Sequence, residues 1–198
     1  HDTNDINQRV KLINILSHDV QRIERLITDY SQILKDEVAL SKEKIKKLDI
    51  EPIIKSVVDD FNNIYRLKRG IKISYENDDK GKYHINGIEN RVEQIIANLL
   101  DNAVSFSEDN KNITVKVSKF NDSKVIINIL DEGQGFKEKD TNKIFKRFYS
   151  NRPDRFGQHS GLGLNIVKNL VDLHNATIKA SNRTDQRGAN MEIIFPKV

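Results

Sequence analysis

The stretch Glu93-Gln94-Ile95-Ile96-Ala97-Asn98-Leu99-Leu100-Asp101-Asn102-Ala103-Val104-Ser105-Phe106-Ser107 decides the fold: its apolar residues repeat at helical spacing, while its polar residues do not read as a solvated face. Val92, Ile95, Ile96, Leu99, Ala103 and Val104 form a stripe that needs a sheet or another helix beneath it. Asn98 and Asn102 stand one turn apart on another side, with Gln94 and Ser105 near the same line. Asn competes with its own backbone for hydrogen bonds and is costly inside a helix, so two of them one turn apart repeat that cost. Surface asparagine in an Asn-rich chain is the plain alternative.

Further along, a strand-like run at 125–130 leads into Asp131-Glu132-Gly133-Gln134-Gly135-Phe136. Ile144-Phe145-Lys146-Arg147-Phe148-Tyr149 follows, and Ser160-Gly161-Leu162-Gly163-Leu164 opens a second amphipathic helix running to about Leu173. These segments resemble the motifs of the ATP-binding domain of sensor histidine kinases, in the GHKL (Bergerat-type) superfamily that also holds DNA gyrase, MutL and the large heat-shock chaperone ATPase. Asn98 to Ala103 is similar to the N box, Asp131 to Phe136 to the first glycine box, Ile144 to Tyr149 to the F box, and Gly161 to Leu164 to the second glycine box. One GxG is a weak signal, but four motifs in the family's order are specific together.

A chain of 198 residues suffices for one full core plus an accessory element. Lys and Arg number 33 against 29 Asp and Glu, a net charge of +4, and the lysines are interspersed with acid, so no nucleic-acid partner is expected. Cysteine is absent, which excludes disulfides and thiolate metal sites and suits a reducing compartment. No apolar run approaches a membrane span and no signal peptide opens the chain, so a soluble, cytoplasmic piece is expected.

From about residue 4 to 47 there is neither Pro nor Gly, and Ile13, Leu16, Val20, Ile23, Ile27, Tyr30 and Leu34 alternate steps of three and four. That is a heptad seam on one long, coiled-coil-like helix, and self-association through residues 7–46 is its natural outcome. Folding back onto the same chain is the alternative. His18-Asp19-Val20-Gln21-Arg22 copies the opening of the family's phosphoacceptor box, but no Pro follows before Pro52. The family's acceptor also sits on the first helix of a hairpin, and only one unbroken helix separates His18 from the ATP-binding domain. Residues 1–47 are therefore read as a dimerisation helix, the second of such a hairpin, and His18 is not taken as the acceptor. Residues 48–198 are read as the catalytic domain.

Pro52 suits the first turn of a helix whose apolar period, from Ile53 to Leu67, runs to Gly70 as a C-cap. Strands are expected at 71–76, 83–85, 113–120, 125–130, 177–181 and 191–195, and 151–160, with Pro153 and Gly157, reads as a loop. About three helices and at least five strands suit a two-layer α/β sandwich.

The resemblance assigns roles. Asn102, with Asn98 beside it, would hold Mg²⁺, a cation that takes oxygen ligands and keeps several waters. Asp131 would accept from the exocyclic amine of adenine, and Gly133 and Gly135 would bring backbone close to base and sugar. Ser160, Gly161, Leu162, Gly163 and Leu164 would place helix N–H groups at the phosphates, the loop before them acting as a lid. Phe106 would pack near adenine, Tyr149 would belong to the ATP-binding site, and Phe145 and Phe148 would clip the lid, unless the two phenylalanines are simply core.

Ser105 stands where many members have Lys, Ser150 where many have Arg, His159 where the second glycine box usually leads with Gly, and Ala189 where a hydroxyl often helps bind adenine. Arg147, Arg155 and above all Arg152 are candidates to replace the displaced charges. The implied function is ATP- and Mg²⁺-dependent phosphorylation of a His on a helix upstream of this chain, then transfer to a response-regulator receiver Asp. A membrane-spanning sensor region upstream is implied too. Alternatives are a kinase-like adaptor with a weakened site, and an ATPase of the gyrase type, although that branch carries Glu where Asn98 stands.

Overall fold

The computed structural model describes residues 8–17, 20, 23–24, 27, 44–78, 82–121, 124–137, 140–147, 149 and 161–196. Residues 8–17 form helix α1. The seam residues Ile13, Leu16, Val20, Ile23 and Ile27 are between 53% and 63% exposed in the single chain. His18, Tyr30 and Leu34 lie outside the described residues. Residues 44 and 45 are not helical, and Lys46 and Lys47 lie in strand β1 (Lys46–Asp49), so the seam helix does not reach Lys46 as read. The reason is pairing: β1 hydrogen-bonds antiparallel to β3 (His84–Gly87).

Helix α2 (Ile50–Arg69) begins and ends on residues built for the purpose. The Asp49 side chain accepts from the Glu51 N–H at 3.1 Å, and Gly70 takes the left-handed conformation, φ 66°, while its N–H returns to the Arg66 carbonyl. Helix α3 (Glu89–Phe106) and helix α4 (Gly163–Leu173) complete the α-helices of the described ATP-binding region.

The main sheet has the order β2-β4-β5-β7-β6, from β2 (Lys72–Asn77), β4 (Asn112–Asn121), β5 (Lys124–Leu130), β6 (Thr177–Asn182) and β7 (Ala189–Pro196). Only β2 and β4 run parallel, because the chain between them crosses over through α3. The hairpin β4–β5, the pair β5–β7 and the hairpin β6–β7 are antiparallel.

Period-two alternation sorts the faces. Ile113, Val115, Val117, Val125, Ile127, Ile129, Met191, Ile193 and Phe195 are buried under the helices. On the other face Glu76, Lys116, Asn128, Glu192 and Lys179 stand in one cross-strand row, with charges alternating in sign about a central amide. Helices cover one face only, which makes the two-layer sandwich. The stripe of α3 is fully buried at Val92, Ile95, Ile96, Leu99 and Leu100, and α3 packs against both α2 and α4. The outer edge of β2 is closed by Asn62 of α2, whose amide accepts from the Ile73 N–H at 2.9 Å and donates to the Ile73 carbonyl at 2.7 Å.

His174 joins the two helices that carry the motifs. It caps the C-terminus of α4, is 4% exposed, and accepts at Nε2 from the N–H of Ile88, the N-cap residue of α3, at 3.1 Å. Nδ1 faces the Leu170 carbonyl oxygen at 2.6 Å, so Nδ1 carries the proton and the ring is neutral. Burial pushes its pKa down, against the opposing Leu170 bond. The unfolded chain therefore takes up the proton first: this stability is complete above the ordinary histidine pKa of about 6.5 and declines as pH falls below it. Melts between pH 8 and pH 5 are expected to show a Tm fall on acidification that is smaller in His174→Gln.

Candidate functional site

The C-terminal half of α3, the loop after β5 and the first turn of α4 converge. Asn98 and Asn102 are half-buried on α3, and a Cβ built on Gly163 would lie 3.9 Å from Asn98 Oδ1, so the second glycine box begins beside the N box. The far end of α3 meets the first glycine box. A Cβ on Gly133 would come within 2.6 Å of the Phe106 carbonyl oxygen, so only glycine fits there.

Asp131 leaves the end of β5 and is 5% exposed. Its backbone N–H donates to the Ala189 carbonyl at 3.0 Å. Its Oδ1 accepts from the Gly133 N–H at 2.8 Å and the Ala189 N–H at 3.0 Å. Burial pushes the carboxyl's pKa up, while those N–H groups and the nearby Arg183 guanidinium oppose the shift. Both of these bonds fall on Oδ1, which restrains the carboxylate plane and leaves Oδ2 out of them. Ala189, read as a lost hydroxyl, contributes to this arrangement through its backbone.

The F-box segment forms a short 3₁₀ helix (Thr141–Phe145) with Ile144 and Phe145 buried. The Thr141 hydroxyl donates to the Ala180 carbonyl at 2.7 Å, and Asn165 Nδ2 of α4 donates to the Phe145 carbonyl at 3.0 Å, so the segment is tied to β6 and to α4. Arg147 is exposed just beyond it, and Tyr149 is half-buried against the core. Phe148, Ser150, Arg152, Arg155, His159 and Ser160, with the predicted loop, lie outside the described residues.

Helix α4 starts without a side-chain cap. Leu162 at its N-cap is 2% exposed, Gly161 has φ 70°, and Leu164 is half-buried against the core. Backbone N–H groups and the positive end of the dipole at such a start favour anions.

Ser105, which the spacing places near the line of the two asparagines, is 4% exposed, and its hydroxyl donates to the Asp101 carbonyl at 2.7 Å. The position where the family resemblance led to an expected Lys is here turned inward without charge. Asn182, Arg183 and Asn165, which hold the motif segments in place, had no signal in the sequence, since each is one polar residue acting across long sequence separations.

The model of the histidine kinase-, DNA gyrase B- and HSP90-like ATPase family matches residues 87–198, from the end of β3 through both glycine boxes. The chain belongs to this ATPase family. Among relatives of this ATPase, the sensor protein ChvG of Agrobacterium fabrum is 36% identical over 90% of the chain and 31% of that protein. The sensor protein KdpD of Clostridium acetobutylicum is 30% identical over 98% of the chain and 21% of that protein. The chain thus spans about a third or less of these relatives. The solved catalytic domain of histidine kinase ThkA superposes with a TM-score of 0.68 at 24% identity, covering 78% of this chain and 96% of that one. ThkA in complex with response regulator protein TrrA superposes at 0.66 and 22% identity, over 87% of this chain and 48% of that one. The ATPase fold here is that of a histidine-kinase ATP-binding domain. Among the described residues no helix is long and apolar enough to cross a membrane.

Proposed function

We propose that the chain is the catalytic, ATP-binding portion of a sensor histidine kinase, which delivers the γ-phosphoryl of Mg-ATP to a histidine on a helix upstream of this sequence. The observation that carries the reading is the convergence itself: Asn98 beside Gly163, Phe106 backing Gly133, and a buried Asp131 whose Oδ1 is fixed by two N–H groups.

In this reading Asp131 accepts from the adenine amine, and Gly133 and Gly135 let backbone approach base and sugar. The start of α4, at Gly161, Leu162, Gly163 and Leu164, holds phosphate oxygens with Ser160. The amide oxygens of Asn102 and Asn98 have the donor chemistry Mg²⁺ takes, and the bound ion would supply neutralisation of phosphate charge. Neutral amides suit a site where the triphosphate already brings the negative charge. Phe106 and Tyr149 wall the pocket, and Arg147 or Arg152 supplies the cation that Ser105 and Ser150 do not.

A neutral imidazole nitrogen attacks Pγ, an N–P bond forms as the bond to the β–γ bridging oxygen breaks, and ADP leaves. Such a transfer needs positioning and charge neutralisation more than a strong base. A response-regulator receiver Asp then accepts the phosphoryl, consistent with the kinase–regulator complex among the similar structures. The exposed seam at Ile13, Leu16, Val20, Ile23 and Ile27 pairs two copies, and the chain works on the cytoplasmic face of the membrane that anchors its sensor region.

The test is incubation with γ-labelled ATP, alone and with a chain extended upstream by the first hairpin helix. Acid-labile label is expected on the added helix alone, and label on His18 would overturn the assignment of the acceptor. Absence of nucleotide binding would favour the adaptor.

A further inference from the structure

We propose that Asn182 is the positioning residue that sets base specificity at the nucleotide site, by holding the first glycine box against the end of β6. The inference rests on the reading that adenine binds at Asp131. Strand β6 ends the sheet and pairs with β7 on one side only. At the end of β6 Asn182 Oδ1 accepts from the Phe136 N–H at 2.6 Å, and Asn182 Nδ2 donates to the Phe136 carbonyl at 3.0 Å. One side-chain amide thus satisfies both backbone polar groups of Phe136.

The residue before Phe136 is shaped to this contact. Gly135 has φ 74°, and a Cβ there would fall 2.6 Å from Asn182 Oδ1, so the loop approaches the amide as a glycine allows. At the loop's other end Arg183, next to Asn182, donates from Nη1 to the Asp131 carbonyl at 3.3 Å, and its backbone N–H donates to Gly188 at 3.0 Å. The 131–136 loop is therefore tied at both ends to the β6–β7 hairpin.

Asn182 is itself exposed and adds little to the core, so its bonds act on the loop. Adenine and guanine differ at the six-position only in a donor exchanged for an acceptor, and rejecting the wrong base requires the facing groups to be held in place. Releasing Phe136 frees Gly135 and Gly133 to shift, and discrimination falls before the fold does.

The experiment uses the full chain, titrated by calorimetry with Mg-ATP and Mg-GTP, with a melt of each variant. Asn182→Ala is expected to bind ATP about tenfold more weakly, with a reduced ATP-to-GTP affinity ratio and a nearly unchanged Tm. Asn182→Asp supplies a signature that general loosening does not. At pH 8 its carboxylate faces the Phe136 carbonyl and repels it, whereas at pH 4, close to the ordinary aspartate pKa of about 3.9, a large share is carboxylic acid and again offers one donor and one acceptor. Its ATP affinity relative to wild type at the same pH is expected to rise on acidification.

Wild-type affinity and ratio in Asn182→Ala, or a pH-independent deficit in Asn182→Asp, overturns the inference. So does failure of Asn182→Ala to fold, which would make Asn182 a stability residue. If wild type binds no ATP, or Asp131→Asn binds it unchanged, the adenine reading itself fails and takes this inference with it.

Discussion

Replacing Asp131 by Asn is expected to weaken ATP binding by roughly 10- to 100-fold, the consequence of turning one buried acceptor into a donor. The substituted amide keeps an oxygen where Oδ1 now accepts from Gly133 and Ala189, so the loop retains its shape. Its Nδ2 then takes the place of Oδ2 and confronts the exocyclic amine of adenine, donor against donor. Guanine presents an acceptor at that position, so the ATP-to-GTP affinity ratio should fall further than ATP affinity alone requires. Calorimetric titration with both nucleotides reads the two effects.

Stability is expected to move the other way. The folded carboxyl has its pKa raised by burial, so ionised Asp131 costs the fold free energy. For a raised carboxyl the stability is greatest below the unfolded pKa and is lost as pH rises through the folded one. An amide is neutral throughout. The Asp131→Asn chain should therefore melt at or above the wild-type temperature near neutral pH, and a clear fall in Tm would show that the carboxylate supports the fold.

The largest structural effect is expected at Gly188. A Cβ there would lie 1.9 Å from the Asp131 carbonyl oxygen, at φ 148°, in the turn that brings Ala189 to Asp131. The contacted Asp131 carbonyl is backbone, so no rotation of a side chain can relieve it, and β7 and the end of β5 must separate. The cost of Gly188→Ala is expected to be roughly 2–5 kcal/mol from overpacking and strain together. For a chain of this size that corresponds to a Tm fall of roughly 5–20 °C. Gly163→Ala is the informative contrast: its Cβ would meet Asn98 Oδ1 at 3.9 Å, an ordinary contact, so the fold should tolerate it. A Gly188→Ala chain as stable as wild type would contradict the packing described between the hairpin and the glycine box.

Local rules carried much of the architecture. Pro52 and Gly70 bracketed α2 because caps and proline geometry act within a turn, and the alternation at 113–120 and 125–130 marked the two strands that pair as β4 and β5. Four motifs in order identified the fold because each glycine or asparagine answers a local backbone or polar demand. The unread features depend on tertiary contacts. Lys46 pairs in β1 instead of continuing a helix, a choice made by β3 nearly forty residues away. In the sequence Ser105 lies only near the line of Asn98 and Asn102, and its burial and its bond to the Asp101 carbonyl emerge from the packing around α3. Asn182 is one asparagine at a strand end until the fold lays Phe136 beside it.

The most direct test of the account is a calorimetric titration of the full chain with ATP, with and without Mg²⁺, in wild type, Asn102→Ala and Asp131→Asn. Saturable, Mg²⁺-dependent binding in wild type, with the Mg²⁺ dependence lost in Asn102→Ala and affinity reduced in Asp131→Asn, is the predicted result. Binding unchanged in both variants, or no binding at millimolar nucleotide, would contradict it.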